Sequence, residues 1–108
     1  MPQDLQNSIK KLVNSLKNNG AKGNYSCSML FSVIIHLSIW NQQNGNNSIN
    51  NRNDVSILMR YYLTQRYRNS VPMPNIGAIT DRLMREIDRT IEDVQTNANN
   101  LNVLQHIN

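Results

Sequence analysis

The chain has 108 residues, enough for one domain but few for two. Its 11 Lys and Arg residues outnumber its 7 Asp and Glu residues, and the resulting net charge of +4 fits an anionic partner such as nucleic acid. The single cysteine excludes an intramolecular disulfide. We find neither a secretory signal nor an apolar run of membrane-spanning length, so we expect an intracellular, cytoplasmic protein with no membrane partner.

The N-terminal segment has the apolar periodicity of an amphipathic helix. Apolar residues recur three and four positions apart from Leu5 to Leu16. Gly20 and Gly23 then supply stop signals. We therefore predict a first helix over about residues 3–19.

The second predicted element runs from Ser26 to about Gln42 and is apolar nearly all round. Its β-branched residues are compatible with a strand, but the length of the run without a turn residue favours a helix. Because a helix without a polar face is usually buried, we expect this one at the centre of the fold.

A polar, asparagine-rich stretch follows at residues 41–53. Such a composition buries too little apolar surface to order itself, so we predict a flexible loop inside a single helical domain that spans residues 1–108. A loop this long also argues against a helix-turn-helix pair, which needs a compact turn.

Two further helices are predicted after this loop. Asp54 is a suitable N-cap for a helix over about residues 55–68, and two prolines then break the chain. Asn75 can cap a last helix that runs to about residue 101. On it, apolar residues alternate steps of four and three, which indicates packing within a bundle or against a second chain. This predicted seam consists of Ile87, Ile91, Val94, Ala98 and Leu101.

The third predicted helix combines cations with phenol rings. On an ideal helix whose apolar residues point inward, five side chains share the opposite face. These are Arg60, Tyr61, Thr64, Tyr67 and Arg68. Arginine neutralises phosphate, and tyrosine donates a hydrogen bond or stacks on a base, so this face predicts contact with nucleic acid. The alternative is an ordinary solvent-exposed face.

Arg82, Arg85 and Arg89 form a second basic stripe, on the last helix, and we add them to the predicted nucleic-acid interface. Each has an acidic residue four positions away, so a solvated surface of ion pairs is the alternative for this stripe. The exposed lysines of the first helix fit either a solvent face or phosphate contact.

No residue pattern indicates catalysis. Ser28, Ser32 and His36 are spaced four apart, but nothing orients the imidazole or forms an oxyanion site, so we predict a hydrogen-bonded polar seam there. The single thiol and two histidines lack zinc-ligand spacing, and no glycine-rich phosphate loop occurs. We expect no enzyme activity, no metal, no cofactor and no small-molecule substrate.

Together these patterns predict an all-α protein, a small bundle of about four helices that forms a homodimer. The favoured function is non-catalytic binding of DNA or RNA by a regulatory, packaging or duplex-binding protein. The alternative is a helical protein–protein interaction module, such as an adaptor, an assembly subunit or an inhibitor of a partner protein.

Overall fold

The described residues form four α-helices in the order α1 (Gln3–Asn14), α2 (Cys27–Gln43), α3 (Ser48–Tyr67) and α4 (Ile76–Ile107). The computed structural model describes residues 1–17, 23–43, 45 and 47–107, with residues 99–107 as helical backbone. These residues contain no strand, and the predicted all-α class is confirmed. In this part of the chain, no helix combines the length and the apolar character that crossing a membrane requires.

Helix α1 ends earlier than predicted because Ser15 turns the chain. The Ser15 hydroxyl donates to the Leu12 carbonyl at 2.6 Å and accepts the backbone N–H of Ser26 at 3.0 Å. The chain leaves the helix at this point, and Leu16 still packs into the core. The last two residues of the predicted helix lie outside the described residues.

Side-chain caps mark the start of two helices. The Ser26 hydroxyl accepts the backbone N–H of Met29 at 3.4 Å, at the beginning of α2. The Asn75 side-chain oxygen accepts the N–H of Ala78 at 3.0 Å, which confirms the predicted cap of α4.

The loop predicted for residues 41–53 is wrong for most of its length. Helix α2 continues to Gln43 and α3 begins at Ser48, seven residues before the predicted start. The amide of buried Asn51 donates to the side-chain oxygen of Asn41 at 2.9 Å, so asparagines join the two helices. Asp54 lies inside α3 and does not cap it. The connection spans only residues 44–47, which removes the long lead-in that argued against a helix-turn-helix pair.

One apolar core draws on all four helices. Helix α1 packs most extensively against α2 and also against α3, while α4 packs mainly against α3. The fully buried residues of this core come from the periodic faces of α1, α3 and α4, together with Leu16 just beyond α1 and Val33 of α2. This packing is why the spacing of apolar residues predicted the helices correctly.

Helix α2 is not the buried central element that its composition predicted. One side carries the buried residues Leu30, Val33, Ile34, Leu37 and Trp40. The other side leaves 46% of Phe31, 55% of Ile35 and 46% of Ile39 exposed. Helix α2 therefore has a core face and an apolar outer face.

The predicted seam of α4 divides into two parts. Ile87 is fully buried and Ile91 packs partly against the same core, so the first part belongs to the bundle itself. Val94 is 51% exposed and Ala98 is exposed, so this second part of the seam does not belong to the core of the bundle. The side chain of Leu101 lies outside the described residues.

Candidate nucleic-acid interface

The buried face of α3 is an oblique row of residues four positions apart. It consists of Asn51, Val55, Met59, Leu63 and Tyr67. A row at this spacing is inclined to the helix axis, so the buried side shifts around the helix from one end to the other. Tyr67 is consequently only 6% exposed, and its predicted outward placement is wrong.

The other four residues of the predicted α3 face are exposed. The Thr64 hydroxyl donates to the Arg60 carbonyl at 2.8 Å, which leaves it little freedom to donate to a ligand. The Tyr61 hydroxyl accepts the amide of Gln65 at 2.6 Å. Arg60 and Arg68 therefore provide the cationic part of this face, and Tyr61 provides an exposed ring.

The N-terminal end of α4 lies beside Arg60. A Cβ atom placed on Gly77 would be 3.8 Å from Nη2 of Arg60. Eight residues earlier on α3, Arg52 pairs with Asp88, so the two helices run antiparallel. The pair is bidentate, with Arg52 Nε to Asp88 Oδ1 at 2.9 Å and Nη2 to Oδ2 at 2.6 Å. This hydrogen bonding raises the pKa of Arg52.

The three predicted arginines of α4 have different environments. Arg82 is half-buried, donates to the Gly23 carbonyl at 2.7 Å, and lies 5.6 Å from the ring centre of Tyr25. These contacts give Arg82 a structural role. Arg85 and Arg89 are exposed but share a surface depression with three acidic residues. They are Glu86, Asp88 and Glu92.

Tyr25, which lies just before α2, also contacts α4. Its hydroxyl donates to Oε2 of Glu86 at 3.4 Å. Burial raises the pKa of Tyr25, and the nearby Glu86 carboxylate adds to the increase.

Arg66, which we did not single out in the sequence, joins α1 to α3. Its Nη1 donates to the Val13 carbonyl at 3.1 Å, and its Nη2 donates to the Leu16 carbonyl. Carbonyls at a helix C-terminus lack helical partners and attract cations, so a guanidinium group satisfies both needs. As a result, the C-terminal ends of α1 and α3 meet. The exposed residues Lys17, Arg66 and Arg68 are part of this contact or lie within two positions of it in the chain, and we call them the basic end.

Charge is strongly segregated along the chain. Residues 5–80 contain eight Lys and Arg residues and a single acidic residue, Asp54. Residues 81–108 contain three arginines and five acidic residues. The basic end therefore lies in a part of the chain almost without carboxylates, whereas Arg85 and Arg89 lie among them. Counting charge by segment would have shown this difference in the sequence.

The serine–histidine pattern forms no catalytic arrangement among the described residues. The Ser32 and Ser8 hydroxyls are 2.8 Å apart, across the contact of α2 with α1, and Ser28 bonds to Ser26 at 2.9 Å. The predicted polar seam is confirmed for Ser32. The described part of the chain has no group of three or more His, Cys, Asp or Glu residues that could hold a metal ion.

Comparison of the chain with models of known protein families, with curated proteins and with solved structures gave no match. A functional argument therefore has to come from the chemistry of the surfaces described above.

Proposed function

We propose that this protein binds nucleic acid without catalysis, through the basic end and the neighbouring Arg60. The observation that carries the proposal is the contact of Arg66 with the end of α1, which joins two parts of residues 5–80, a stretch with eight Lys and Arg residues and one acidic residue. Exposed cations of this kind neutralise phosphates and release counterions, which is the main source of affinity for a polyanion.

The chemistry of the surface favours the phosphate backbone over the bases. Tyr61 is the one clearly exposed ring on α3, and its hydroxyl is already engaged by Gln65. Recognition of single strands generally uses several stacking rings, and recognition of base edges uses amide or guanidinium groups placed in a groove. A packaging or regulatory protein that binds duplexes largely independently of sequence fits this surface best.

The stripe on α4 has a smaller role in this proposal. Arg60 on α3 lies beside Gly77 on α4. Arg68 and Arg85 are each eight residues beyond this contact, in opposite directions because the helices are antiparallel, so they lie about 24 Å apart along the helix axes. Phosphate approaching Arg85 or Arg89 also meets Glu86, Asp88 and Glu92. Arg82 contributes through its contacts with Gly23 and Tyr25, just before α2.

Matched double variants test this assignment. Replacing Arg60 and Arg68 with Ala should weaken binding to duplex DNA and RNA uniformly across sequences. The slope of log affinity against log salt concentration should also become shallower, by the amount expected for about two phosphate contacts. Replacing Arg85 and Arg89 with Ala removes the same charge, and we expect a smaller loss. Fluorescence anisotropy with labelled duplexes measures both variants. The opposite order would assign the interface to α4, and no binding by the unaltered chain at low salt would exclude the proposal.

A protein-binding module is the second candidate function. Asp54, Ile57, Leu58 and Tyr61 line an open, largely apolar groove of about 350 Å³ on α3. Their spacing along one helix face suits an amphipathic helix from a partner. This candidate predicts that an Ile57→Asp substitution abolishes partner binding and leaves duplex binding unchanged.

The proposal also includes an intracellular location and a homodimer. Association would double the number of basic ends on one particle and so increase its avidity for a long polyanion. Two surfaces could provide the contact, the outer face of α2 and the exposed part of the α4 seam.

A further inference from the structure

We propose that a second copy of this chain packs against the outer face of α2, and that the two α2 helices run antiparallel. Phe31, Ile35 and Ile39 define this face, with one residue every four positions along about 12 Å of helix. Each side chain is about half exposed. Isolated exposed apolar residues are common on monomers, whereas a continuous row of large ones is a candidate interaction surface.

The charge of α2 favours an identical partner. Cys27–Gln43 contains no Lys, Arg, Asp or Glu, although the whole chain carries a net charge of +4. Two copies that meet through α2 therefore bring no like charges together at the contact. A partner selected by charge would find no group on this helix to recognise.

The order of the side chains favours antiparallel pairing. The row is centred on Ile35, so a two-fold axis there places Ile35 against its own copy and Phe31 against the Ile39 of the other chain. In a parallel pair, the two Phe31 rings would face each other at the same height along the helices and compete for the same space.

The position of the basic end favours the same arrangement. The bond between Ser26 and Ser15 places the start of α2 beside the C-terminal end of α1, and thus on the side of the molecule that carries the basic end. Antiparallel helices separate the two basic ends by about the length of α2, roughly 25 Å, which exceeds the Debye length of about 8 Å at physiological salt. Parallel helices would bring the two basic ends together.

The exposed area of the outer face suits the centre of an interface. Three half-exposed side chains of this size offer roughly 300 Å² to the centre of an interface that needs about 800 Å² per partner. The polar residues that flank the row, Ser28, Ser38 and Gln42, are exposed and can form the rim. In contrast, the α4 seam exposes Val94 and Ala98 among the residues whose side chains are described.

Substitutions on the two faces test the proposal without nucleic acid, so its outcome is separate from that of the proposed function. Light scattering of the unaltered chain should give twice the chain mass of 12.4 kDa. We expect Ile35→Asp to weaken association at least tenfold and Val94→Asp to leave it unchanged. A monomer in every case, or dissociation caused by Val94→Asp alone, would overturn the proposal.

Disulfide cross-linking tests the geometry and does not depend on a destabilising charge. In a Cys27→Ser background, Ile35→Cys should form a covalent dimer on mild oxidation, because residue 35 faces its own copy. Phe31→Cys alone should not, since the two copies of residue 31 would lie about 12 Å apart along the axis. Cross-linking of Phe31→Cys to itself would show parallel helices, and failure of Ile35→Cys would show that α2 is not the interface.

Discussion

At the scale of single residues, Arg66 contributes to both the fold and the proposed site. Its guanidinium group satisfies carbonyls at the end of α1, and the same contact brings Leu16, which precedes Lys17, to the C-terminal end of α3. In the sequence, Arg66 does not stand out from the neighbouring arginines, because the carbonyls that it binds lie about fifty residues away. Long-range contacts of this kind leave no local pattern for a sequence analysis to detect.

The Arg66→Met substitution tests this contact, because Met keeps much of the aliphatic stem and removes the donors. We expect the free energy of unfolding to fall by about 1–2 kcal/mol, reduced from the upper range for charged hydrogen bonds because the residue is exposed. Urea denaturation measures it. The control is Arg68→Met, which removes the same charge two residues away and should change stability by less than about 0.5 kcal/mol. An equal loss in both variants would mean that charge, rather than the contact with α1, matters.

Tyr25 provides a pH test of the packing between the residues just before α2 and helix α4. Its pKa is raised above the ordinary value of 10.0, mainly by burial and further by Glu86, so the folded protein holds the phenol proton more tightly than the unfolded chain does. The stabilisation that depends on this proton is complete below pH 10.0 and is lost as the pH rises through the raised pKa.

The free energies of unfolding of the unaltered chain and of Tyr25→Phe should therefore converge or cross as the pH rises above about 10. Phenylalanine has no proton to lose, so the variant should show the smaller decline. Denaturant titrations at several pH values measure the difference. Parallel curves would show that Tyr25 ionises as freely in the folded protein as in the unfolded chain.

At the scale of elements, apolar periodicity predicted helices α1, α3 and α4, and the length of an unbroken apolar run predicted α2. Composition gave two wrong expectations. The asparagine-rich stretch was predicted to be a loop because its residues bury little apolar surface, yet Asn51 is buried and pairs with Asn41. Helix α2 was expected to be buried all round, yet its partners cover only one side. In both cases the arrangement of neighbouring helices, which composition does not encode, decided the outcome.

The pair of asparagines offers a stability test of this junction. Replacing Asn51 with Ala removes a buried donor and leaves a small gap, so we expect a loss of about 1–2 kcal/mol in the free energy of unfolding. Asn53 lies on the exposed side of the same helix, and Asn53→Ala should change stability by less than about 0.5 kcal/mol. Chemical denaturation compares the two variants, and equal effects would show that the Asn41–Asn51 bond does not stabilise the junction.

At the scale of the whole molecule, charge and shape define the proposed function together. The molecule extends 59 Å in its longest dimension. Residues 5–80 hold eight Lys and Arg residues and one acidic residue, whereas residues 81–108 hold three arginines and five acidic residues. From the sequence we predicted that Arg60, Tyr61 and Arg68 face outward, and they do. The inward turn of Tyr67 and the meeting of α1 with α3 depend on oblique helix packing, which an ideal helical wheel does not represent.

The salt dependence of duplex binding tests the central claim most directly. With about four cations at the interface, namely Lys17, Arg60, Arg66 and Arg68, a plot of log affinity against log salt concentration should have a slope of about −3 to −4 for duplex DNA. Fluorescence anisotropy with one labelled duplex at a series of salt concentrations gives this slope. An affinity that does not change with salt, or the absence of binding at the lowest salt, would contradict the proposal that this protein binds nucleic acid through its basic end.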